Sequence, residues 1–354
     1  MEIHFILLFM AITLFLFSMD KNNYKAITFF LLIAFLGSTF LLSAFRAETV
    51  GNDTIRYVGF FRSFFFVEDP WDIISSTRFE PGYSLLNYII SRFSQNYTSL
   101  LFVSALINLI CALYFYKSNC NNKYSWCLLW FISGLCYWSW SAIRASLAIS
   151  FIYIFADDVL KNKKIRSLFW LLLACIFHYS ALVCSVILLL RSRILNRILE
   201  NKILLVLFFV IMAIFMSQIM SYMPEAYSHY YFDSEYGEGS VRIASIVDFI
   251  FNLSFYILVA WKTPFIWNKQ KEFQILFLML VGISFLGLIF NPFNRIERFF
   301  IPFGIVYISN SFAYLNSFRR IGVICLIGLL AIYQVVTFVV RPDWLQLFPY
   351  TFAF

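Results

Sequence analysis

The stretch that most limits how this chain can fold runs from residue 157 to residue 202. Its apolar centre, residues 167–190, carries no charged side chain and a single histidine, His178. Basic blocks bracket that centre: Lys161, Lys163, Lys164 and Arg166 before it, Arg191, Arg193, Arg197 and Lys202 after it. A membrane span of about 20 residues would fit the centre. A single crossing, however, would strand one basic block on the far side of the bilayer, where lysine and arginine are depleted. Two half-length helices remove the conflict. If residues 167–190 dip in as far as Phe177-His178-Tyr179-Ser180 and return, both blocks stay cytoplasmic. Broken backbone at that depth is tolerated where it is packed in protein or lines a wet cavity, so a cavity containing His178 is expected.

The remainder of the chain is equally apolar. Of its 354 residues 62% are hydrophobic and 13% charged, with a mean hydropathy of +0.79, which makes it an all-α integral membrane protein. The first apolar run, residues 3–17, lacks a basic leader and a small-residue cleavage site, and reads as a retained span. Spans are expected at 3–18, 27–45, 99–116, 124–143, 145–155, 204–220, 244–261, 273–290, 299–316 and 321–340. These about ten transmembrane helices plus the half-helix re-entrant pair 167–190 form one polytopic domain, 1–354, with both termini outside. Its two larger outer-face loops are 46–98 and 221–243. Within the first, residues 55–67 and 83–93 are amphipathic and aromatic, suited to the membrane surface.

Charge placement gives this topology a partly independent check. All eleven lysines fall in inner segments, and the outer cations are ten arginines. Total positive charge was used to orient the spans, but the lysine-to-arginine split was not. The formal charge of +8 therefore reports cytoplasmic anchoring, and nucleic acid is not an expected partner. None of the seven cysteines lies in an outer segment or has metal-ligand spacing, so no metal or other cofactor is expected. The chain contains neither a glycine-rich phosphate loop nor a Gly-x-Ser-x-Gly elbow. Energy must come from a preactivated substrate or a gradient.

Arginine suits the grasp of a phosphate or pyrophosphate, because its planar fork offers parallel donors and keeps its charge in a partly dry site. Arg144, Arg295 and Arg298 each stand where a span meets the outer face. The plainer alternative is that they snorkel to headgroups or pair with Glu297 and Asp248. His178 has the chemistry to accept a proton from a sugar hydroxyl; the alternative is an interhelical hydrogen bond. Asp53 and Glu80 are the outer carboxylates set among aromatic residues, in GNDTIRYVGFF and RFEPGYSLL. Either could orient hydroxyls or act as a base, or could simply pair with Arg56 or Arg78.

Five blocks in order, GNDTIRYVGFF, FEPGYSLLNYII, IRASLAIS, CIFHYSALV and NRIERFFIPF, spread over residues 50–305, resemble the scattered motifs of the EpsG/Wzy-type O-antigen or exopolysaccharide polymerase family. The resemblance implies a multi-pass enzyme of the bacterial cytoplasmic (inner) membrane with its active site facing the exterior. Such an enzyme would move a growing glycan from undecaprenyl pyrophosphate onto a newly flipped lipid-linked repeat unit. It further implies catalytic roles for His178, Asp53 and Glu80, pyrophosphate binding by Arg144, Arg295 and Arg298, metal-independent displacement, and a chain-length regulator as a partner. Block 221–243 matches no motif and is expected to contact the particular sugar. A lipid-linked oligosaccharide flippase, an O-antigen ligase and a membrane acyltransferase are the competing readings.

Overall fold

In the computed structural model the described residues are 1–19, 25–122, 124–192, 201–216, 218, 242–261, 267 and 269–354. The expected outer loop 221–243 falls almost wholly outside them, as do Lys21, Lys123, Arg193, Arg197 and Lys262 of the expected inner segments. The described residues are helical, without strands, as a chain with so few groups able to satisfy an open sheet edge in lipid must be. They divide into two compact units, residues 1–184 with 327–354 and residues 185–326.

The first unit opens with α1 (Glu2–Met19) and α2 (Lys25–Ala44). The segment 46–98, expected as the first outer loop, folds into α3 (Thr54–Ser63), the short α4 (Pro70–Ile74) and α5 (Pro81–Phe93). Both amphipathic segments expected there are thus helical. Proline opens α4 and α5 at a position where its missing N–H costs nothing, and the Asp69 carboxylate caps α4 by accepting from Trp71 N at 2.9 Å. The long α6 (Thr98–Asn119) follows. The single span expected at 124–143 is instead two short helices, α7 (Ser125–Ile132) and α8 (Leu135–Ser141). Gly134 separates them at φ +76°, a left-handed conformation that stops a helix and that glycine adopts without strain.

The helical hairpin of α9 (Ile143–Leu160) and α10 (Lys164–Phe177) does most to position the site. From residue 144 to the turn is roughly 24 Å of helix, and from the turn to residue 178 roughly 21 Å, at ~1.5 Å per residue. The two arms therefore return to the same level. α9 is buried along nearly its whole length, and polar contacts fix its register on α6. Asn108 donates to Ser146 Oγ at 3.1 Å and accepts from Ser150 Oγ at 2.6 Å. At the other end the buried Asp157 carboxylate accepts from Tyr114 Oη, Ser118 Oγ, Asn119 Nδ2 and Lys161 Nζ at 2.9, 2.9, 3.2 and 2.6 Å. Arg166 of α10 donates to Asp158 at 2.5 Å. Buried carboxylates are tolerated when several donors and a cation meet them.

At His178 the helix ends in extended backbone, φ −160° and ψ 113°. The chain continues from Tyr179 to Arg191 as a 3-10 helix. The break thus falls at the histidine, as expected.

In the second unit α11 (Lys202–Ile214), α12 (Ile243–Val259) and α14 (Phe293–Ser311) pack around α13 (Gln270–Ile289), whose residues are mostly buried. α15 (Ser317–Val340) contributes residues to both units, and the short α16 (Pro342–Leu345) leads into the tail. Four helices, α2, α6, α13 and α15, are long and apolar enough to cross a membrane; α1, α11, α12 and the 3-10 segment are apolar but shorter.

Candidate functional site

The FEPGY segment shapes the site. Glu80 is the last extended residue before α5, and Pro81 and Gly82 start the helix. A β-carbon on Gly82 would lie 2.8 Å from the Ile176 carbonyl oxygen and 2.9 Å from that residue's side chain. Only a glycine therefore lets the start of α5 press against the end of α10, and that approach carries the Glu80 carboxylate to His178. Glu80 Oε1 lies 2.8 Å from His178 Nδ1, while Oε2 accepts from Arg144 Nη1 in the first turn of α9. Glu80 is 5% exposed, Arg144 22% and His178 20%, so the carboxylate is sheltered and both partners keep an open side.

Burial alone would raise the Glu80 pKa. The His178 hydrogen bond and the Arg144 charge outweigh it and hold the carboxyl below its usual range. Aromatic rings complete the arrangement. The Arg144 guanidinium stands 4.6 Å from the Phe79 ring centre and 5.9 Å from that of Tyr57. Phe79 in turn packs on Phe60 at 4.4 Å. Such cation-π contacts add about 0.5–1 kcal/mol each at exposed sites and more when desolvated. Among the described residues Arg144 Nε is buried with no acceptor.

Of the six residues singled out in the sequence, three therefore meet directly: Glu80, Arg144 and His178. Asp53 precedes α3, half-exposed, its carboxylate making no cap hydrogen bond. It lies one turn before Tyr57, on the same helix face, and so borders the ring that Arg144 overlooks. Arg295 and Arg298 belong to the second unit, in the first turns of α14. Arg298 pairs with Asp248 at 3.2 Å, the plainer alternative weighed for it; Arg295 is exposed. Glu297 is instead engaged by Asn252 Nδ2 at 2.8 Å. Sequence reasoning missed Tyr57, Phe79 and Gly82. Phe79 and Gly82 flank Glu80, Tyr57 follows Asp53 by one turn, and a proline-glycine pair directly after a carboxylate was the available signal for close packing.

Taken together, the fold and this carboxylate-linked histidine and arginine define a multi-pass helical membrane protein with a polar site built on the start of α5 and the α9–α10 hairpin. The EpsG family model matches residues 28–352, nearly the whole chain, and the chain belongs to the EpsG family. Neither the curated proteins nor the solved structures offer a match.

Proposed function

We propose that this protein is a glycosyltransferase that polymerises undecaprenyl-pyrophosphate-linked oligosaccharide repeat units into surface polysaccharide on the outer face of the cytoplasmic membrane. The observation that carries the reading is the Glu80 carboxylate bridging His178 and Arg144. Glu80 then orients the ring and is not itself the base. With Nδ1 donating to Glu80, Nε2 is the basic nitrogen, the arrangement by which a carboxylate fixes an imidazole tautomer.

In the reaction His178 takes the proton of an acceptor hydroxyl. The oxygen attacks the anomeric carbon of the donor glycan, and the bond from that carbon to the pyrophosphate oxygen breaks. Undecaprenyl pyrophosphate leaves with the electron pair. Before the transfer one carboxylate balances one guanidinium; after it the imidazolium adds a positive charge as the diphosphate gains negative charge. Arg144 keeps N–H groups beyond the one engaged by Glu80, and its side chain is 22% exposed, which leaves part of the guanidinium open to a phosphate oxygen. Asp53 is assigned to positioning the acceptor. Arg295 and Arg298 take no part in these steps, and their substitution tests diphosphate binding by the second unit separately. Family membership supports the polymerase reading.

A gel of surface polysaccharide is the test. Deletion of the gene should leave a single repeat unit displayed. Loss of a flippase would leave none outside, and loss of a ligase would leave polymer on its carrier. Arg144→Lys, which retains charge without the fork, should abolish long polymer. His178→Ala should lower polymerisation by ~10²–10⁴-fold, the usual worth of a general base. Full-length chains from both variants would refute the assignment.

A further inference from the structure

Two short turns deliver the site residues: residues 50–54, which start α3 with Asp53, and residues 140–144, which start α9 with Arg144. A guanidinium of the first outer segment joins them. Arg46 is 1% exposed, and no carboxylate pairs with it among the described residues. Instead its Nη2 donates to the Trp140 carbonyl at 2.6 Å, its Nε to the Val50 carbonyl at 3.2 Å and its Nη1 to the Ser43 carbonyl. The Thr54 hydroxyl repeats the connection, lying 2.8 Å from Val50 O and 3.3 Å from Trp140 O.

A third bridge comes from the C-terminal tail. The Leu345 carbonyl accepts from Asn52 N at 3.0 Å and from Ser141 Oγ at 3.3 Å. Gly51 leaves room for this closure. At φ +95°, a β-carbon there would lie 2.6 Å from Thr54 Oγ1 and 3.0 Å from Trp140 O. A fully buried cation normally requires a carboxylate, and carbonyls could be satisfied by neutral donors. What arginine adds is one rigid fork that reaches three carbonyls from different parts of the chain.

We infer that Arg46 and Thr54 are positioning residues, which lock the Asp53-bearing and Arg144-bearing turns into one block and thereby set the place of Arg144 against Glu80 and Tyr57. The inference rests on the catalytic reading above only in what the block is for. Phosphate-binding arginines work within narrow tolerances, and a displacement of about 1 Å costs on the order of 10²-fold in rate.

The test uses the purified full-length protein and, as substrate, the lipid-linked repeat unit extracted from membranes of the deletion strain. Arg46→Lys, Thr54→Val and Thr54→Ser are compared by amide hydrogen exchange and by steady-state kinetics. Thr54→Val should speed exchange of the amides of residues 50–54 and 140–146 on the order of tenfold. It should lower kcat by about 10- to 100-fold while leaving KM for the repeat unit little changed. Arg46→Lys should do at least as much, and Thr54→Ser, which restores the hydroxyl, should behave as the parent. Should Arg46→Lys not fold, Thr54→Val alone decides. Unchanged exchange and kcat in Thr54→Val, or equal damage from Thr54→Ser, overturns the inference. If the parent protein does not extend this substrate but Thr54→Val still loosens those amides, the glycosyl-transfer reading fails and the block stands.

Discussion

Glu80 concentrates the electrostatics of the site. A carboxylate this sheltered is stable as an anion because it faces two partners, and removing one partner of a buried pair commonly costs about 3–5 kcal/mol. The pH dependence follows in sign. Since the folded protein holds Glu80 below its usual range, the carboxylate's contribution to stability is present above the unfolded value of ~4.3. It is lost as pH falls through the lower, folded value. The stabilising contacts of Glu80 should therefore persist to pH values at which an ordinary glutamate is half-protonated. Arg144→Gln removes one of the influences that hold the pKa down, so acid unfolding of that variant, followed by tryptophan fluorescence in detergent, should begin at higher pH than in the parent. An unchanged acid transition would show that the Arg144 charge does not act on Glu80. These roles were only partly legible in the sequence. Glu80 and Arg144 are 64 positions apart, and composition marks both as functional candidates without indicating that they touch; Arg78, two residues from Glu80, was an equally plausible partner on spacing alone.

At the scale of elements, the site depends on α5 meeting the end of α10. Gly82 is the point of closest approach, and a methyl group there must move either the helix start or the Ile176 backbone. Gly82→Ala should destabilise the protein by about 1–3 kcal/mol, the usual cost of overpacking, and should shorten or abolish the polymer ladder by withdrawing Glu80 from His178. A ladder and a melting temperature equal to the parent's would show that the contact is slack. The α9–α10 hairpin was readable in outline, since the basic turn and the histidine within the apolar run are sequence features. That the break falls at His178 was also expected, because it reconciles two basic blocks with one apolar run. The division of residues 124–143 into α7 and α8 was not anticipated. Its glycine is a helix stop only in left-handed backbone, a conformation that local sequence permits but packing selects.

At the scale of the whole molecule, orientation in the bilayer is the property most directly open to experiment. On the topology expected from the placement of lysine, a cysteine placed at Lys163 in the α9–α10 turn should react with a membrane-impermeant maleimide only after the inner face is exposed. One at Trp71, which is 65% exposed on α4, should react from outside in intact cells. The reverse pattern would invert the topology and remove the site from the side where lipid-linked repeat units are presented. Hydropathy and charge, which act residue by residue along the chain, determined by themselves the helical membrane class and the amphipathic character of residues 55–67 and 83–93. The ordered blocks also sufficed for the EpsG resemblance, because they can be read without knowing their neighbours. Only the tertiary structure decided that Glu80 joins His178 to Arg144, that Arg46 spans two turns 90 residues apart, and that the tail closes over the loop before α3. Each of those contacts brings together polar groups distant in the chain, and their strength comes from shared burial, which is a property of the packed molecule and of no segment taken singly.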